Sequence, residues 1–142
     1  MKKIIAMIFT MVAGLVLMAC NQSEKQMRLG IYENHEGQAG ILYVEDVSDA
    51  GEYDGLKKVL MNEEIQLENA PEPDKALYAL HFDKPQENIQ ELAFIFYLVD
   101  GNVLYQYEGD VFGYDADEPT YKLSKEDSNR LINNFREELL SN

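Results

Sequence analysis

The chain has no tryptophan, one cysteine, four prolines and two histidines, and it sets only 12 basic side chains against 26 acidic ones. A single thiol can form no internal disulfide, so an exported copy of this chain must be held together by packing. The scarcity of Lys and Arg leaves a net charge of −14, which argues against a nucleic-acid partner because phosphate contacts need a basic surface. Flat docking on an anionic lipid surface is disfavoured for the same reason. No apolar run reaches the roughly 20 residues that a membrane-spanning helix needs. His35 and His81 are far apart in sequence, and His81 with Asp83 on the same strand face still lacks the further convergent ligand of a transition-metal site.

What is present begins with Lys2 and Lys3, followed by an apolar stretch from Ile4 to Ala19 that only Thr10 and Gly14 interrupt. These are the charged and apolar regions of an export signal. The stretch closes on Leu17-Met18-Ala19-Cys20, which resembles the bacterial lipobox. That resemblance implies a diacylglycerol on the Cys20 sulfur and cleavage just before it, and it accounts for the absence of a second cysteine. The expected organisation is a signal peptide over residues 1–19, a lipidated cysteine and polar tether over 20–26, and a single acidic domain over 27–142. Losing the first nineteen residues removes two lysines and no acid, so 123 residues with a charge of −16 are left. Two acyl chains suffice for stable anchoring, while the acidic domain is pushed off the anionic surface.

Within the domain, Leu92–Val99 and Asn102–Glu108 flank Asp100-Gly101, the signature of a two-residue hairpin turn with positive φ. This turn sets a register in which Leu98 faces Val103, Phe96 faces Tyr105 and Phe94 faces Tyr107. The first of these strands is apolar on both sides, so it belongs in the middle of the sheet, with a helix or the tether over its second face. Ala76–Phe82 alternates as another strand, and Met27, Leu29 and Ile31 alternate before a turn over Asn34–Gly40 and a return at Ile41–Val44. Short strands are expected at Val111–Tyr114 and Thr120–Leu123. Ser124 and Asp127 begin a helix as a capping pair, and Leu131, Phe135 and Leu139 give it one apolar stripe, widened by Ile132. A shorter helix is expected over Asp54–Met61. The fold class is therefore α+β: an antiparallel sheet of hairpins and a meander, with a C-terminal and a shorter helix packed on one face.

The order of lipobox, first hairpin, short lysine-bearing helix, Pro-containing loop, alternating strand, hairpin and the closing segment Tyr121-Lys-Leu-Ser-Lys-Glu-Asp-Ser-Asn-Arg-Leu131 resembles the small YhfM-like lipoproteins of bacilli. The resemblance implies this architecture, a cell-surface address and a single-membrane cell. It brings no catalytic residue or activity with it. Asn21 after the cysteine would permit export to an outer membrane in a two-membrane host.

Two acid clusters are the most conspicuous local chemistry. Glu45, Asp46, Asp49, Glu52 and Asp54 are expected in the loop before the first helix, and Glu108, Asp110, Asp115, Asp117 and Glu118 flank the last short strands. Calcium takes six to eight oxygen ligands, so Asp110, Asp115, Asp117 and Glu118 are the candidate metal residues. The spacing is not that of an EF-hand, because Pro119 and Thr120 fall where a ligand and the turn glycine belong. A solvated acidic surface is the plainer reading. No serine sits in a nucleophile elbow, and a carboxylate pair for glycoside hydrolysis is recognised only by its separation in space. Tyrosines such as Tyr105, Tyr107 and Tyr114 suit strand and core roles as well as a ligand platform. The sequence thus points to a non-enzymatic lipid-anchored protein outside the cytoplasm. Its expected partner is a basic protein or cationic envelope component, with a calcium-binding surface domain as the alternative and a hydrolase as the third reading.

Overall fold

The computed structural model describes residues 25–62 and 65–141, so Cys20 and the expected signal segment lie outside the described residues. The architecture is α+β, a seven-stranded antiparallel sheet with its helices packed on one face. In chain order the elements are β1 (Gln26–His35), β2 (Gln38–Val47), α1 (Ala50–Met61), β3 (Gln66–Leu67), β4 (Tyr78–Lys84), a 3-10 turn (Pro85–Glu87), β5 (Ile89–Val99), β6 (Asn102–Tyr107), β7 (Thr120–Lys122), α2 (Lys125–Asn134) and α3 (Arg136–Leu139). The spatial order is β2-β1-β4-β5-β6-β7-β3. Strands β4 to β7 form a meander and the β1–β2 hairpin docks on β4, so α1 carries the chain from one sheet edge to the other.

The Asp100-Gly101 turn adopts positive φ at both residues, 50° and 75°, and the expected register is the one observed. The β1–β2 turn differs from expectation. Glu36 and Gly37, with φ of 52° and 82°, make a two-residue turn instead of a wide one, and pairing therefore continues through Asn34↔Ala39 and His35↔Gln38. Gly30 in β1 has a steric role, since a Cβ there would stand 2.3 Å from Ile41 Cγ2. Val111–Tyr114 is not a strand but part of an irregular connection, and β3, too short to carry a pattern, was not expected.

One sheet face carries the core: Met27 and Leu29, Tyr78, Leu80 and Phe82, Phe94 and Phe96, then Val103 and Tyr105. Tyr53, Leu56 and Leu60 of α1 and Leu131, Phe135 and Leu139 of the C-terminal segment cover it. The expected apolar stripe is buried as read, although the helix breaks at Phe135 into α2 and α3. Ser124 Oγ accepts the Asp127 N–H at 3.1 Å, the expected cap, and buried Ser128 Oγ accepts the Val103 N–H at 3.1 Å to fasten α2 to β6. The first helix starts earlier than expected, at a cap where Asp49 accepts the Glu52 N–H at 2.9 Å. Gly51 masks that start because glycine is a poor helix former. Gly55 leaves space for the Arg130 guanidinium, which a Cβ would approach to 2.2 Å and displace, and which bonds Glu52 at 2.8 Å while Asn134 bonds it at 2.9 Å. Arg130 and then Asn134 lower the Glu52 pKa.

Glu91 on β5 joins three elements. Lys57 of α1 donates to it at 2.7 Å, Tyr53 also donates to it, and Lys84 of β4 stands at 3.0 Å. These donors, Lys57 first, hold the carboxyl at about 2, well under its ordinary 4.5. A depressed carboxylate pKa contributes stability above the unfolded value and loses it as pH falls toward the folded one. Glu91→Gln is therefore expected to destabilise at neutral pH. It should also flatten the loss of stability between pH 4.5 and 2, read as denaturation midpoints across that window.

Candidate functional site

The second face of the sheet is also apolar, with Ala79, Ile95, Tyr97 and Leu104 buried. All three helices pack on the first face, so of the two covers expected for the second, a helix or the tether, no helix of the described residues is there, and most of the tether lies outside the described residues. Among the described residues the cover is the connection 108–119 between β6 and β7. Phe112 meets Tyr32 edge-on at 4.9 Å, and Tyr114 meets Tyr97 at 5.9 Å. Gln106 pins this connection from beneath: its Nε2 lies 2.8 Å from the Asp115 carbonyl, 3.1 Å from that of Glu118 and 2.9 Å from Thr120 Oγ1. Its Oε1 accepts the Asp115 N–H at 3.2 Å. A buried amide with this many backbone partners fixes where the following acids sit.

The result is an acidic cleft of about 440 Å³ lined by Asp117 and Glu118 of the connection and by Glu68 and Glu72 of the segment after β3. No Lys or Arg is among its described lining residues, while Gln66, Asn69 and Tyr114 add neutral polar groups. The two acid pairs are brought together by pairing of β3 with β7, Gln66↔Tyr121 and Leu67↔Thr120. The four acids are exposed, and charge of one sign at an open surface attracts cations.

The other sequence candidates are placed differently. Asp115 turns its carboxylate back to accept the Asp117 N–H at 2.9 Å, and exposed Asp110 is not part of the cleft lining. The first acid cluster is not a loop: Glu45 and Asp46 are in β2, Asp49 caps α1, and Glu52 and Asp54 are inside it. Glu45 faces Glu138 and Glu137, and its pKa is raised, by desolvation first and by those two charges next. Among the described residues no group of three or more His, Cys, Asp or Glu is arranged to hold a metal ion.

His81 and Asp83 share a strand face, as expected, but take separate partners. His81, 4% exposed, stands between the Tyr43 hydroxyl, 2.7 Å from Nδ1, and Glu108, 2.9 Å from Nε2. A carboxylate only accepts, so Nε2 carries the proton in this arrangement and Nδ1 can accept from Tyr43. Asp83, 6% exposed, accepts from Arg28 Nε, and the Arg28 guanidinium lies 4.2 Å from the Tyr43 ring centre. Burial raises the Tyr43 pKa and the nearby Arg28 charge opposes that rise. This row of side chains ties β2, β1 and β4 to the start of the 108–119 connection. Every polar group in it has a partner, which gives it a structural role. Sequence reasoning missed Glu68, Glu72 and Gln106, and only a long-range pairing signal between β3 and β7 would have found the first two.

No family model matches the chain, and neither a curated protein nor a solved structure does.

Proposed function

We propose that this is an anionic binding domain, anchored by a lipid on Cys20 to the extracytoplasmic face of a bacterial cell membrane, that takes a basic protein or cationic envelope component as its partner. The observation that carries the reading is the cleft lined by Glu68, Glu72, Asp117 and Glu118 without a basic residue. Four other carboxylates among the described residues are paired with Lys or Arg: Lys25 pairs with Asp54, Arg28 with Asp83, Lys57 and Lys84 with Glu91, and Arg130 with Glu52. The lipobox-like Leu17-Met18-Ala19-Cys20 and the resemblance to YhfM-like lipoproteins support the address. An acyl anchor and a short tether keep the domain near the membrane, and long-range attraction speeds encounter with a positively charged partner over about 10 Å.

Neutralising the cleft tests the binding role. A Glu68→Gln, Glu72→Gln, Asp117→Asn, Glu118→Gln variant is expected to bind a lysine-rich peptide at least about tenfold more weakly than the parent at low salt, with an unchanged melting temperature. Equal affinity in a titration would remove the cleft from the reading. For the anchor, Cys20→Ser is expected to abolish radiolabelled palmitate incorporation and release the protein from the membrane fraction. Undiminished labelling of the variant would contradict lipidation at that residue.

A further inference from the structure

We propose that the outer edge of β2 receives an extended basic segment of a partner protein as an added strand. This rests on the reading of the protein as a binder of cationic partners, and it gives that partner a second contact, at the sheet edge opposite the one that carries the cleft.

Among the described residues the edge is open, with no strand paired to its outer side. β2 is the outermost strand on its side and runs for ten residues, whereas the opposite edge strand, β3, has two. The Tyr32 N–H goes to the Leu77 carbonyl at 3.0 Å, away from β2. Directly opposite residues of an antiparallel pair either bond each other or both turn away. Ile41, which faces Tyr32, therefore turns its N–H and C=O outward, and Ala39 two residues earlier does the same. Natural edges are commonly blunted with lysine, proline or a bulge. β2 has neither lysine nor proline, and its register shift lies beyond Tyr43, which leaves Gln38–Tyr43 regularly paired. Leu42 is 51% exposed and Tyr43 39%, so the centre of the edge is apolar as well as unpaired.

Charge selects the occupant. Glu36 precedes the edge, Asp46 and Asp49 end it, all three are exposed, and residues 36–49 contain no Lys or Arg. A second copy pairing antiparallel about Leu42–Tyr43 would set Glu36 against Asp49 at both ends, between two chains of charge −14 each. An extended segment with apolar residues in its middle and Lys or Arg at both ends meets the same edge with every charge matched. The recognition mode is strand addition, in which the main chain supplies bonds and the flanking side chains supply selectivity.

The test uses the full-length chain in neutral detergent and a ten-residue peptide with two lysines at each end of a Val-Thr alternation. Its control keeps the four lysines around a Gly-Pro middle that cannot pair. The expected result is binding of the first peptide at least tenfold tighter than the control, with slowed amide exchange over residues 36–47. Ala39→Pro, which removes an outward N–H, should weaken it more than tenfold, and so should Leu42→Lys, a change at an exposed side chain that leaves the core intact. The cleft-neutralised variant should keep this preference for the pairing peptide. Equal binding of both peptides with unchanged exchange in β2 would overturn the edge proposal while leaving the cationic-partner reading standing. Failure of both peptides to bind would overturn both. A dimer in sedimentation that Ala39→Pro dissolves would show a second copy on the edge and overturn the choice of partner.

Discussion

Gln106→Leu is expected to destabilise the domain by on the order of 3–5 kcal/mol and to disassemble the acidic cleft with it. The leucine fits the buried volume closely but offers no partner to the Asp115 and Glu118 carbonyls, the Asp115 N–H or the Thr120 hydroxyl. Each buried polar group left without a partner costs about 1–3 kcal/mol, and those that escape to water must take the 108–119 connection with them. That connection is the cover over Ala79, Ile95, Tyr97 and Leu104, so its release also exposes apolar surface. Two readouts follow: a melting temperature lowered by roughly 10–20 °C, and rapid cleavage after Asp115, Asp117 or Glu118 by an acid-specific protease. A variant as stable and protease-resistant as the parent would show that the connection is held by something other than Gln106.

The second large effect is expected at Arg28. Asp83 is 6% exposed and accepts from the Arg28 guanidinium, so Arg28→Met leaves a carboxylate in the sheet without its cation. Removing one partner of a fully buried pair typically costs about 3–5 kcal/mol, and with the Arg28 side chain 33% exposed the loss here is expected at or below the low end of that range, whereas replacing both with apolar groups is often close to neutral. The double variant Arg28→Met, Asp83→Leu should therefore recover most of the loss, to within about 1–2 kcal/mol of the parent. The remainder includes the stacking of Arg28 on the Tyr43 ring, worth about 0.5–1 kcal/mol at a part-exposed site. Chemical denaturation of the parent, the two single variants and the double variant measures the coupling. Simple additivity of the two changes would contradict a buried ion pair at this position.

Local signals were legible in the amino-acid order and long-range ones were not. Asp100-Gly101 dictates its own turn and, through it, three cross-strand pairs, because a two-residue hairpin leaves no freedom of register. Ser124 and Asp127 cap a helix by contacts within three residues of each other, and the Leu131, Phe135, Leu139 stripe survives the break at Phe135 because all three still face the core. The start of α1 was hidden by Gly51, a poor helix former, although Asp49 caps the helix just before it. Glu36-Gly37 makes a tight turn without the Asn-Gly or Asp-Gly pair that announces one. Val111–Tyr114 has the side chains of a strand but spends them on Tyr32 and Tyr97 as a cover. Of the candidate acids, Asp117 and Glu118 face the cleft, but their companions Glu68 and Glu72 are brought there by a two-residue strand too short to carry any pattern. His81 carried no local hint of Tyr43 or Glu108, which reach it from β2 and from the start of the 108–119 connection.

The account turns on whether the four carboxylates that line the cleft, with no Lys or Arg among its described lining residues, are there to receive a cation from a partner. The most direct measurement is the affinity of the intact protein for a lysine-rich peptide as ionic strength rises from about 20 to about 200 mM, a range over which screening shortens from roughly 20 Å to under 10 Å. The prediction is tight binding at the low end, falling more than tenfold across the range, and a much shallower slope for the cleft-neutralised variant. An affinity that is salt-independent, or equally salt-dependent with and without Glu68, Glu72, Asp117 and Glu118, would contradict it.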